Sequence, residues 1–141
     1  MTQVYTDASL AEGFAYTSCI ILNDSNFMGY HTFEFDNVDS SLRAELLGII
    51  EAIRYSKLLG ITDEITVFTD SEASLILFNN SKANQRIAKQ YTNEIRTLTD
   101  LLDNNSVTLR YIMGHSSCSN PNKLVDLTSH SLLNYKLSGV M

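Results

Sequence analysis

The chain has 141 residues, 44% of them hydrophobic and 18% charged, a balance that excludes a disordered, collagen-like or coiled-coil polypeptide and predicts one domain over residues 1–141. Sixteen acidic against ten basic side chains leave a net charge of −6, the wrong sign for gripping nucleic acid by bulk charge, so any phosphate recognition must be local or metal-mediated. No apolar run approaches the roughly 20 residues that span a bilayer, and the opening MTQVYTDAS lacks the pattern of an export signal. A cytoplasmic protein without membrane attachment is expected. Its two cysteines, Cys19 and Cys118, have no CxxC spacing and are expected as reduced thiols.

Taken in chain order, Val4-Tyr5-Thr6 starts a strand almost at the first residue, and the β-rich run from Gly13 to Leu22 supplies a second. Asn23-Asp24-Ser25-Asn26 is turn chemistry, and Phe27–Phe35 completes a three-stranded antiparallel meander. Asp39, Ser40 or Ser41 can cap a helix of about five turns ending near Gly60, on which Leu42, Leu46, Ile49, Ile50 and Ile53 form one apolar stripe. Ile65–Thr69 is a short strand, and Asp70 or Ser71 can cap a second helix over Glu72–Asn79. A third helix is expected over 83–103, with Ile87, Tyr91, Ile95, Leu98 and Leu102 on one face and Lys82, Arg86, Lys89 and Arg96 on another. Val107–Ile112 is the last strand, 115–120 a loop and 123–133 a final helix. The order βββαβααβα implies an α/β domain: a five-stranded mixed sheet, a meander plus two parallel strands, whose crossovers place helices on the sheet faces. Sites in such sheets lie at the carboxyl ends of the strands.

Two acids stand at that position. Asp7 follows Val4-Tyr5-Thr6 and Asp70 follows Val67-Phe68-Thr69, in the similar segments VYTDAS and VFTDSE; if these strands are neighbours, both carboxylates leave the sheet at one edge. Glu45 borders the apolar stripe of the first helix, and an acid there needs a partner. Asp126 falls early in the final helix, where the helix dipole favours it. Each residue alone is explained equally well by capping, ion pairing or a turn.

The ordered set VYTDAS, RAELLGIIEAI, VFTDSE, MGHSS and NPNKLVD resembles the type 1 ribonuclease H family over nearly the whole chain. The resemblance implies a ribonuclease H-like fold and hydrolysis of the RNA strand of an RNA/DNA hybrid by two metal ions, leaving 5′-phosphate and 3′-hydroxyl ends. It implies four metal-binding acids, Asp7, Glu45, Asp70 and Asp126, and a loop histidine, His115, that assists proton transfer or product departure. In the family's scheme Asp7 bridges both ions, Glu45 and Asp70 hold the first and Asp126 the second. The chemistry agrees, since hard carboxylate oxygens suit Mg²⁺, with Mn²⁺ able to substitute. Ser9, Arg43, Ser71 and Asn122 are candidate contacts to substrate by the same resemblance. Ala8, Ser41 and Glu72 depart from the family pattern of glycine, asparagine and glutamine, which weakens the substrate contacts more than the metal site.

The segment between Asp70 and Val107 has little room for the basic protrusion by which many relatives clamp DNA. Weak hybrid binding by a monomer is therefore expected, with a protein partner able to supply affinity. Two rival functions remain: a nuclease or resolvase of the same fold acting on DNA, and a catalytically weak module that binds nucleic acid or a partner.

Overall fold

In the computed structural model, which describes residues 1–24, 26–79, 89–103 and 106–112, five strands form one sheet in the order β3-β2-β1-β4-β5. Strands β1 (Thr2–Ala11), β2 (Phe14–Asn23) and β3 (Asn26–Phe35) build the antiparallel meander. Glu12 and Gly13 join the first two with φ values of 53° and 81°, the left-handed pair that a two-residue hairpin matched to strand twist requires.

Helix α1 (Ser41–Leu58) carries the chain from β3 to β4 (Ile65–Thr69), which pairs parallel to β1. Of the three candidate caps, Ser40 is the one used: its backbone is extended and its Oγ accepts from the Arg43 amide at 3.1 Å. Gly60, at φ 82°, ends the last turn and donates to the Lys57 carbonyl, a left-handed stop that costs glycine little. After β4 come α2 (Glu72–Asn79), a single 3₁₀ turn (Lys89–Tyr91), α3 (Thr92–Asp103) and β5 (Val107–Tyr111), parallel to β4. The helix expected over 83–103 thus starts at Thr92 within the described residues, behind the 3₁₀ turn. Ile112 continues the β5 pairing, donating to the Thr69 carbonyl at 2.9 Å. The loop at 115–120 and the helix at 123–133 lie outside the described residues.

The expected stripe is the core. Leu46, Ile49 and Ile53 of α1 are fully buried against Val4, Ile21 and Val67 of the sheet, and Tyr91 and Leu98 close the far side; each such aliphatic side chain contributes about 2 kcal/mol through its removal from water. On the opposite face Tyr5 and Phe68 stack with ring centroids 4.9 Å apart, beside Ile20. Among the described residues no helix is long and apolar enough to cross a membrane.

Strand register and one close helix–sheet contact place the acidic side chains. The β1–β4 pairing ends at Thr6↔Thr69, whereas β1 continues beside β2 as far as Ala11↔Phe14. Asp7 therefore does not end its strand, as the sequence suggests, but lies within it, opposite Ser18. Helix α1 in turn comes down on the sheet at Gly48, where a Cβ would lie 3.2 Å from Thr6 Oγ1 and 3.3 Å from Thr17 Cβ. Only a residue without a side chain fits so close an approach without a shift.

Candidate metal centre

Since Thr6 and Thr69 are register partners on parallel neighbours, the next residues, Asp7 and Asp70, start side by side, about one strand spacing of 4.8 Å apart. Glu45 joins them from above. It lies one helical turn before Gly48, so the helix–sheet contact at Gly48 brings its carboxylate down to the strand ends. One ligand atom from each of Asp7, Glu45 and Asp70 falls within 4.8 Å of the other two. Asp7 is 2% exposed, and Glu45 and Asp70 are half-buried.

Three carboxylates this close repel one another unless cations or protons intervene. An all-oxygen donor set at a partly open sheet edge fits a hard divalent cation with some retained water, as Mg²⁺ or Mn²⁺ prefers, and does not fit the nitrogen and sulfur preference of zinc.

The remaining expected site residues are placed less uniformly. Ser9 stands two residues beyond Asp7 on the same side of β1 by strand alternation; it is 4% exposed, and its Oγ has no hydrogen-bond partner. Ser71 caps α2: its Oγ accepts from the Ser74 amide at 3.2 Å and lies 2.7 Å from Ser74 Oγ. Arg43 sits at the junction of α1 and α3, with Nη1 2.8 Å from Asp39 Oδ2, Nε 2.9 Å from Glu94 Oε1 and Nη2 donating to the Gln90 carbonyl. Its guanidinium carbon is 4.9 Å from the centroid of the Tyr91 ring. His115, Asn122 and Asp126 lie outside the described residues, as do Lys82 and Arg86 of the basic stripe. Lys89 and Arg96 are exposed.

In the sequence Tyr91 falls on an apolar stripe and Glu94 has no evident role. Tyr91 is indeed buried, at 7% exposure, but its hydroxyl also meets Ser40 Oγ at 2.9 Å. The signal present in the sequence is a tyrosine, not a phenylalanine, in an apolar stripe, since a buried phenol needs a partner for its hydroxyl.

A mixed five-stranded sheet with an acidic cluster where β1 and β4 diverge defines an α/β protein whose three convergent carboxylates could hold a cation. Comparison with known proteins narrows the class. The RNase H family model matches residues 1–132, and the chain belongs to that family. No curated protein matches the sequence. Among solved structures, the N-terminal RNase H domain of rv2228c from Mycobacterium tuberculosis is similar, with a TM-score of 0.76, 12% identity and coverage of 99% of this chain and 98% of that one. RNase H1 from Halobacterium salinarum has a TM-score of 0.74 at 13% identity, covering 94% and 97%. LC11-RNase H1, isolated from compost by a metagenomic approach and solved in complex with an RNA/DNA hybrid, has a TM-score of 0.70 at 14% identity, covering 94% and 99%. At these identities the structural likenesses establish the fold.

Proposed function

We propose that this protein is a metal-dependent endonuclease that hydrolyses the RNA strand of RNA/DNA hybrids, leaving 5′-phosphate and 3′-hydroxyl ends. The observation that carries the proposal is the convergence of Asp7, Glu45 and Asp70, with ligand atoms inside 4.8 Å. Family membership supports the reaction class, and the hybrid bound to LC11-RNase H1, whose fold this chain shares, supports the substrate.

Asp7, Glu45, Asp70 and Asp126 would hold two divalent ions, Mg²⁺ in the first instance with Mn²⁺ as a substitute. When bound, such ions activate a water and stabilise the leaving oxygen of an in-line displacement. The protein's own contribution is positional. β1 and β4 fix Asp7 and Asp70 through backbone pairing, and α1 brings Glu45 to them. His115 assists proton transfer or product departure, a role that solvent can partly fill. Recognition of the hybrid needs backbone and 2′-hydroxyl contacts and no reading of bases, for which Ser9, Ser71 and Asn122 are the candidates. The acidic chain obtains its affinity for phosphate locally, through bound cations, and from any protein partner.

A labelled RNA/DNA hybrid, an RNA duplex and a DNA duplex, each incubated with and without Mg²⁺, test this. The expected result is cleavage of the hybrid's RNA strand alone, dependent on Mg²⁺ and lost in Asp7→Asn. Cleavage of the DNA duplex at an equal or greater rate would favour the DNA-directed reading. Hybrid cleavage that persists in EDTA would overturn the role given to the acids.

A further inference from the structure

Glu45 occupies an exposed position in the mechanical sense. It belongs to the N-terminal part of α1, where a helix frays first because its leading amides have no partner within the helix. Two like-charged groups, Asp7 and Asp70, lie within 4.8 Å of its ligand atom and push against it. Ala44 and Leu46, on either side of Glu45, are buried, whereas the first turn ahead of them is less so, with Ser41 exposed and Leu42 half-buried. The Ser40 cap holds the first turn from within, and contacts to α3 can hold it from outside.

We propose that Arg43 and Tyr91 form a latch that fixes the start of α1 to the start of α3 and thereby keeps Glu45 in the acidic cluster; the inference rests on the metal-binding role proposed for that cluster. The geometry is closed from both sides. Tyr91 OH meets Oγ of Ser40, the residue that caps α1. Two residues before Glu45, the Arg43 guanidinium donates from Nη1 to Asp39 and from Nη2 to the Gln90 carbonyl, pairs electrostatically with Glu94 and lies over the Tyr91 ring. The planar fork of arginine satisfies several acceptors at fixed angles, which a lysine cannot do. With Nη1 and Nη2 donating to oxygens of its own chain and Nε at ion-pair distance from Glu94, Arg43 is a positioning residue in this structure rather than a hand extended to phosphate. Its pair with Glu94, whose side chain is 14% exposed, is secluded enough to hold a geometry, unlike the freely solvated pairs that contribute little.

The test reads metal affinity directly, with the full chain and no nucleic acid, by following free Mn²⁺ in solution. Simple Coulomb reasoning says that deleting a cation near an anionic site tightens cation binding. The latch requires the opposite sign. Arg43→Ala is expected to weaken Mn²⁺ binding by about tenfold, the cost typical of losing a group that orients a ligand. Tyr91→Phe, which changes no charge, is expected to weaken it in the same direction while the protein remains folded by circular dichroism. Arg54→Ala serves as control, because Arg54 pairs with Glu51 on the same helix at 3.0 Å, is 54% exposed and lies away from the latch; its affinity should stay the same or tighten slightly. Mn²⁺ binding by Arg43→Ala that equals or exceeds wild type overturns the latch while leaving the metal site standing; a separate hybrid-binding titration that shows a loss in the same variant would then return Arg43 to substrate contact. A wild-type protein with no saturable Mn²⁺ uptake overturns the metal reading and the latch with it.

Discussion

Replacing Asp7 with asparagine keeps the shape of the side chain and removes one charge from a cluster whose three ligand atoms lie within 4.8 Å of one another. Two unit charges at that separation repel by about 3.5 kcal/mol at an effective dielectric near 20, and Asp7 faces two of them. Asp7 itself is 2% exposed and gains little screening from water. Water at the half-buried Glu45 and Asp70, together with side-chain relaxation, offsets most of the repulsion, so the expected net gain on substitution is about 1 to 2 kcal/mol. At about 3 °C per kcal/mol for a domain of this size, Asp7→Asn should melt about 3 to 6 °C above wild type in the presence of a chelator. The difference should shrink as salt is added, since screening weakens the part that water reaches. Adding Mg²⁺ should then raise the wild-type melting temperature and leave the variant nearly unmoved, because a ligand stabilises only the state that binds it. Calorimetric melts of both proteins in EDTA and in Mg²⁺ measure each of these differences. A variant that melts at or below wild type in EDTA would show that repulsion is not what the cluster stores, and would refute the inference from proximity.

Other consequences can be checked independently. His115→Ala should retain metal-dependent cleavage with turnover reduced by about 10² to 10⁴, whereas Asp70→Asn should retain none, because solvent can replace a proton carrier but not a ligand; equal losses in the two variants would remove the distinction. The Cys19 thiol, 1% exposed, is pushed up by burial from its ordinary 9.0 to about 12, so the folded state holds that proton more tightly than the unfolded one. Its contribution to stability is complete below about pH 9 and is lost as pH rises toward 12, at up to about 1.4 kcal/mol per pH unit. Burial shifts Tyr5 in the same direction. Urea titrations across this range should show a flatter alkaline decline in Cys19→Ala, and an identical decline would assign it elsewhere. Finally, hybrid binding should show a shallow salt dependence; a slope equivalent to six or more phosphate contacts, at roughly −0.9 per contact, would mean that the stripe containing Lys89 and Arg96 engages the backbone after all.

Much of this architecture can be read from residue spacing. The stripe from Leu42 to Ile53, the β-rich runs and the paired VYTDAS and VFTDSE segments lead to the mixed sheet and to two acids at one edge, because burial and strand alternation leave periodic traces in a sequence. Pairing does not leave such traces. Nothing in Val4-Tyr5-Thr6 says that β1 outruns β4 and carries Asp7 within the strand, since its length is set by the partner β2 through the register Asp7↔Ser18 to Ala11↔Phe14. Hydrogen-bond partners far apart in the chain are equally hidden. Ser40 is legible as a cap, but its second contact, with Tyr91, spans 51 positions. Arg43 is a candidate substrate contact by resemblance, and in the fold it lies among Asp39, Gln90, Tyr91 and Glu94, partners that no local spacing announces. Ser71 reads as a substrate contact or a cap, and in the described structure its hydroxyl is engaged as a cap.

Gly48 has no functional group, yet it sets the length scale of the cluster. The space that a methyl would need there ends 3.2 Å away at Thr6, the neighbour of Asp7, and the same helix carries Glu45 one turn earlier. The height of α1 above the sheet and the reach of Glu45 toward Asp7 are therefore a single dimension. A larger residue at position 48 would leave every carboxylate in its place in the sequence while forcing α1 or Thr6 and Thr17 to give way, and with them the spacing of Glu45 from Asp7 and Asp70. A protein changed in this way would keep a complete set of acids with their spacing altered, and inspection of the acids alone would find nothing wrong with it.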